Sequence, residues 1–324
     1  MPLATWVAQK GRLYMFFAAD QSVLSIMIMI MIGYFLAYKK LLDEKAINLI
    51  TTIVINISLP MMMLNTIMSN FTKQKLIGDS RGLIVPFLTI GCCFIIAKIF
   101  AKIAKVKDNR RGLFVSMFFN SNTIFMGIPV NLALFGEKSV PYVLLYYIAN
   151  TTFFWTLGIY EIAKDGNKKN LRFLSIDFVR KIFSPPLMGF LVGMVLLLLN
   201  IKLPSFIMDT SKYLGNLTTP LSMFFIGASI YTVNLKATKF SLDMVWILLG
   251  RFIISPLLVI LILPMFPIPE LMGSVFVVQA AMPVMANSAI IAKAYDSDYD
   301  FASIMIAIST IGTLVVIPIL MAIL

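Results

Sequence analysis

The stretch Asn120-Ser-Asn-Thr-Ile-Phe-Met-Gly-Ile-Pro129 puts four polar residues, a glycine and a proline into ten positions of an otherwise apolar run, 111–136. Proline lacks an amide donor and clashes with the preceding turn, so a helix breaks here and leaves carbonyls unpaired. The run is long enough to cross a bilayer. Unpaired backbone cannot face lipid there, so it must line a cavity or be capped by side chains. Asn, Ser and Thr supply such caps, and the helix N-terminus beyond the break points its positive end at the gap. Gln279-Ala-Ala-Met-Pro-Val-Met-Ala-Asn-Ser288 does much the same inside a second apolar run, 270–292, with three polar residues and a proline in ten positions. Two such breaks meeting would form an anion-favouring pocket without needing a formal charge. The alternative is that each proline merely kinks a helix and its polar neighbours only cap it. Recurrence of the break in two corresponding runs favours the pocket.

The rest of the chain supplies the bilayer context. Of 324 residues, 60% are hydrophobic and 13% charged, with a mean hydropathy of +0.92. Soluble domains run at about 45–50% apolar and about 25% charged. Ten apolar runs read as spans: 21–38, 46–69, 82–101, 111–136, 139–163, 182–201, 205–233, 244–268, 270–292 and 301–324. The expected fold is therefore an all-α integral membrane protein of ten helices. Residues 1–20 precede the spans, and loop 164–181 separates helices one to five (21–163) from helices six to ten (182–324). The first segment, with Lys10 and Arg12, lacks an apolar core and a small-residue cleavage site, so it does not read as a signal peptide.

Several chemistries are excluded. There is no histidine, which removes His catalysis, His metal ligation and His proton relays. The two cysteines, Cys92 and Cys93, are adjacent in an apolar run and suit neither a disulfide nor a metal site. No nucleophile–base pair or metal set suggests an enzyme, and no cofactor is expected. The net charge of +12 would suggest nucleic acid in a soluble protein. In a membrane protein it reports cytoplasmic loops. Eight Lys and Arg fall on the side of the N-terminus, eighteen fall on the other, and Arg251 lies within a span. The richer side, including Lys164–Lys181, is expected in the cytoplasm and both termini outside.

An offset of 160 residues brings the halves into register. Asn56-Ile-Ser-Leu-Pro60 falls on Asn216-Leu-Thr-Thr-Pro220, both reading N-x-[ST]-x-P, and Gly33 falls on Gly193. Five spans per repeat is an odd number, so the halves must be inverted. Inverted repeats are a transporter architecture that places the site at the repeat interface, near the midplane. The breaks in helices four and nine are thus expected to cross there.

These residues resemble a known family. Asn122-Thr-Ile-Phe-Met-Gly-Ile-Pro129 is similar to the fourth-helix motif of the auxin efflux carriers. Val278-Gln-Ala-Ala-Met-Pro283 with Ala292-Lys-Ala-Tyr295 resembles their ninth helix. Gly250-Arg-Phe-Ile-Ile-Ser-Pro256 and Ser222-Met-Phe-Phe-Ile-Gly227 look like their eighth and seventh. The resemblance implies two inverted five-helix repeats, a crossover of helices four and nine at the substrate site, and often a homodimer. It also implies an organic anion as cargo: auxin in plant members, malate and similar carboxylates in bacterial permeases. Plant carriers commonly have a long loop between helices five and six, whereas here that loop is the short 164–181, so a bacterial malate permease is the better match.

The expectation is a secondary transporter of a small organic anion in the cytoplasmic membrane. An auxin-like aromatic carboxylate carrier and an anion channel are the alternatives. Substrate contacts are expected from Asn120, Ser121, Asn122, Thr123, Gly127 and Pro129 on helix four. Helix nine would add Gln279, Met282, Pro283, Asn287 and Ser288. Arg251 has two readings, neutralising a substrate carboxylate or tying carbonyls freed by a broken helix. No Asp or Glu sits deep in a span, which argues against a buried carboxylate as proton carrier. A coupling ion, Na⁺ or H⁺, could still be held by Asn, Ser and backbone oxygens.

Overall fold

In the computed structural model, residues 24–25, 27–166, 185–232 and 240–323 are described. Segment 1–20 and most of loop 164–181 lie outside the described residues. Among these residues the longer helices run in order: α1 Met27–Tyr38, α2 Glu44–Ser69, α3 Lys73–Asp79, α4 Arg81–Ile103, α5 Arg111–Phe119, α6 Gly127–Phe135 and α7 Val140–Asp165. After the loop come α8 Pro185–Leu198, α9 Ser205–Gly215, α10 Thr218–Thr232, α11 Leu242–Met265, α12 Glu270–Ala280, α13 Asn287–Ala294 and α14 Tyr299–Ile323. Among the described residues there is no strand, only one isolated antiparallel bridge. By length and composition α2, α4, α11 and α14 can each cross a membrane, and α1, α8 and α12 are shorter apolar helices. The protein is a multi-pass membrane protein.

Three runs that read as single spans are each divided. Run 111–136 becomes α5 and α6, run 270–292 becomes α12 and α13, and run 205–233 becomes α9 and α10. The third division falls at Asn216, the first residue of the repeated N-x-[ST]-x-P motif. Pro220 then lies in the first turn of α10, where a missing amide costs nothing. At the matching motif α2 stays continuous. It widens into a π-turn at Val54–Ser58, just ahead of Pro60, which relieves the clash of the ring with the carbonyl four residues back. The same device precedes Pro256, with a π-turn at Gly250–Ile254 that contains Arg251.

The helices pack as two bundles. In one, α2 lies chiefly against α8 and α9, with α1 and α10 beside it. The other holds α4 to α7 and α11 to α14, and buries Phe114, Phe118, Phe119, Tyr142, Tyr146 and Phe276 completely. Outward faces carry exposed apolar side chains such as Ile95, Ile99, Leu261, Val315 and Ile319, as lipid contact requires. Two close helix approaches in the first bundle share one register. The Cα side of Gly33 on α1 lies against the backbone of Phe224 and Gly227 on α10. Gly193 on α8 lies against Leu64 and Ile67 on α2. Both pairs of contacts are related by the offset that takes 33 to 193, 64 to 224 and 67 to 227. A Cβ at Gly33 would come within 2.6 Å of Phe224 backbone, so no other residue fits.

Candidate functional site

The two unwound stretches touch each other. The chain leaves α5 at Asn120 in an extended conformation, with φ −94° and ψ 134°, and re-enters a helix at Gly127. It leaves α12 at Ala281 and re-enters at Asn287. Ser121 and Val284 pair as the antiparallel bridge, and the Asn122 amide donates to the Pro283 carbonyl at 2.8 Å. Each break therefore satisfies part of the other's backbone.

Neighbouring helices satisfy the rest. Asn150 on α7 accepts from the Ser121 amide at 3.0 Å and donates Nδ2 to the Ser121 carbonyl at 2.9 Å. Ser309 on α14 accepts from the Val284 amide at 3.1 Å. Arg251 on α11 is fully buried and donates to three carbonyls: Met282 at 3.1 Å, Phe118 at 3.3 Å and Ala280. One planar guanidinium thus ties the ends of both α5 and α12. Arg251 forms no ion pair among the described residues, so its charge stands behind the breaks without a carboxylate to cancel it.

A cavity of about 310 Å³ opens between the two bundles at this point. Asn122, Thr123, Phe125, Met285 and Asn287 line it from the breaks, Tyr147, Thr151 and Trp155 from α7, and Ile55 and Pro185 from the other bundle. The Asn122 Oδ1 accepts from the Phe125 amide at 3.2 Å, and its Nδ2 donates to no other described residue. The hydroxyls of Thr123 and Thr151 are buried without a partner. Asn287, the first residue of α13, borders the cavity, α6 begins two residues after Phe125 in its wall, and no side chain caps either N-terminus. Their dipoles add positive potential at the same place.

Of the residues singled out from the sequence, Asn122, Thr123 and Asn287 line this cavity. Most of the others do not reach it. Asn120 is fully buried and donates to the Ser116 carbonyl at 3.3 Å, and Ser121 carries the bridge. Gly127 makes room for Gln279, whose side-chain oxygen lies 2.3 Å from where a Cβ would be. Pro129 lies in the first turn of α6, and Met282 and Pro283 contribute their carbonyls to Arg251 and Asn122. Gln279 and Ser288 are fully buried with unpartnered side-chain atoms. Asn56 is exposed on α2, while Asn216 and Thr219 border a separate cavity. Sequence reading passed over Asn150, Thr151, Trp155 and Ser309. The signal was the polar run Asn150-Thr-Thr152 in the middle of an apolar span.

At the far end of α5 its first turn is capped by Asp165, which accepts the amides of Gly112 and Leu113 at 2.7 Å each and the Ser297 hydroxyl at 3.2 Å. Burial outweighs these bonds and pushes the Asp165 carboxyl from 3.8 up to about 6. Beside it Arg110 pairs with Asp243 at 3.2 Å and Asp298 at 3.7 Å. Both broken helices are thereby anchored at one common end.

The model of a family described as membrane transport protein matches residues 19–321. An uncharacterized transporter of Methanocaldococcus jannaschii is 28% identical over 305 residues, covering 91% of this chain and 95% of that protein. Another, from Methanothermobacter thermautotrophicus, is 28% identical over 312 residues, covering 94% and 97%.

Proposed function

The chain belongs to the membrane transport protein family, the family of the auxin efflux carriers, and from that premise we propose that it is a secondary transporter of a small organic anion. One observation carries the reading. A cavity bordered by Asn122, Asn287 and the uncapped N-terminus of α13 lies beside the uncapped start of α6, and behind the breaks stands a buried Arg251 with no ion pair among the described residues. Positive potential without a cation in the cavity wall favours an anion and still lets it leave. Arg251 in this reading acts through its charge and by holding the breaks, not by touching the cargo.

The transport cycle is read as alternating access between two inverted repeats. The glycine contacts related by the 33-to-193 offset support the repeat. So does the bracing of each break by the following long helix, Ser121 by Asn150 and Val284 by Ser309. A second cavity lies at the same bundle interface on the other side of the breaks. The reading places the protein in the cytoplasmic membrane with both termini outside, as a homodimer coupled to Na⁺ or H⁺.

The substrate class has two versions. The first is a malate-type carboxylate. The second is a carboxylate with an aromatic tail, favoured by Phe125, Tyr147 and Trp155 in the cavity wall. Uptake of radiolabelled malate and indole-3-acetate into proteoliposomes tests both. Saturable, slow flux of one acid is expected. Ohmic current would instead make the protein a channel, and no flux of any carboxylate in a broad panel would overturn the proposal.

A further inference from the structure

The second cavity, about 220 Å³, has a wall unlike the first. It lies between the two bundles, with Leu132 and Glu137 on one side and α2, α9 and α10 on the other. Chain direction puts it on the face opposite loop 164–181, because α7 runs from Val140 beside Glu137 to Asp165 at that loop. Its polar lining is dense: Asn65, Thr66, Ser211, Lys212, Asn216 and Thr219. Asn65 is 8% exposed and Thr66 1%, yet neither side chain hydrogen-bonds to another described residue. Both residues line the cavity, so their donors are open to whatever enters it. Lys212 supplies the cation, and Glu137, an exposed residue with an interaction of its own, also borders the cavity. Asn216 and Thr219 belong to the repeated N-x-[ST]-x-P motif, whose twin on α2 adjoins Ile55 in the wall of the first cavity.

We propose that this second cavity is a distinct binding site for the carboxylate group of the transported anion, held by Lys212, Asn65 and Asn216. It rests on the anion-transport reading and adds a docking step on the far side of the breaks. An ammonium with neutral amide and hydroxyl donors suits a carboxylate, and the exposed position of Lys212 keeps the hold loose enough for exchange.

Equilibrium binding of radiolabelled malate and of indole-3-acetate to the purified full-length protein tests it. Wild type should show two sites for at least one acid. Asn122→Ala should weaken one about ten- to a hundredfold and leave the other unchanged. Lys212→Gln and Asn65→Ala should weaken the remaining site about ten- to a hundredfold. Lys212 is exposed, so its substitution leaves folding intact. As an independent readout, Asn216→Cys in a cysteine-free background should be protected from a thiol reagent by the same acid. A single site, unmoved by Lys212→Gln and with no protection at position 216, overturns this proposal and leaves the central site standing. No binding of either acid to wild type overturns the anion reading, and this proposal falls with it.

Discussion

Asn150 and Ser121 grip each other twice, amide to Oδ1 at 3.0 Å and Nδ2 to carbonyl at 2.9 Å, with both residues fully buried. A side-chain amide here replaces the helical neighbours that the break took from Ser121. Asn150→Ala would leave a buried N–H and a buried C=O unpaired, at about 1–3 kcal/mol each. The variant is expected to melt well below wild type in detergent and to lose transport. Asn150→Asp keeps the acceptor but not the donor, and should lie between the two. Wild-type melting in Asn150→Ala would contradict the role given to this pair.

Arg251 separates a charge effect from a geometric one. Its fork reaches the carbonyls of Phe118, Ala280 and Met282 together, which a single ammonium cannot do. Arg251→Lys keeps the charge, so the protein should melt early while surviving molecules keep their KM. Arg251→Gln also removes the potential behind the cavity and should raise KM for an anion as well. Equal KM values in all three proteins would exclude the electrostatic role.

Asp165 gives a pH dependence with a defined sign. Burial raises its carboxyl from 3.8 to about 6, so ionisation is disfavoured in the folded state. The stability this group contributes is greatest below its unfolded value, falls as pH rises through the window between those two values, and is flat above it. Asp165→Asn removes that slope. The difference in melting temperature between wild type and Asp165→Asn should therefore drift in favour of the variant between about pH 4 and 6. A difference independent of pH would refute the assignment.

The orientation rests on the excess of Lys and Arg on the face that includes loop 164–181. Asn167→Cys, in a cysteine-free background, should resist an impermeant maleimide in intact cells and react after lysis. Rapid labelling of intact cells would invert the topology.

What could be read from the chain, and what could not, divides along physical lines. The breaks were legible because proline, glycine and clustered amides in an apolar run leave backbone that lipid cannot satisfy. Asn122 and Asn287 were legible for the same reason. Gly127 and Gln279 were read as site residues, yet they pack on each other, because a close approach leaves the same trace in sequence as a break. Thr151 and Trp155 line the cavity by virtue of the face of α7 that meets the breaks, and the polar run Asn150-Thr-Thr152 marks only part of that face. The division of run 205–233 was also hidden. Its motif matches that of α2, where the helix absorbs the proline by widening, so the motif alone does not say which solution is taken.

The central claim is that the cavity where the breaks meet binds the transported carboxylate. Affinity of the purified protein for its best carboxylate, compared among wild type, Asn122→Ala, Asn287→Ala and the outward-facing control Asn56→Ala, tests this most directly. Each cavity variant loses a hydrogen bond to a charged group, worth roughly 1.5–3 kcal/mol, or about ten- to a hundredfold in the Kd of the central site. Asn56→Ala should bind as wild type does, and all three should remain folded. A folded Asn122→Ala protein that retains the wild-type central-site Kd would contradict the account.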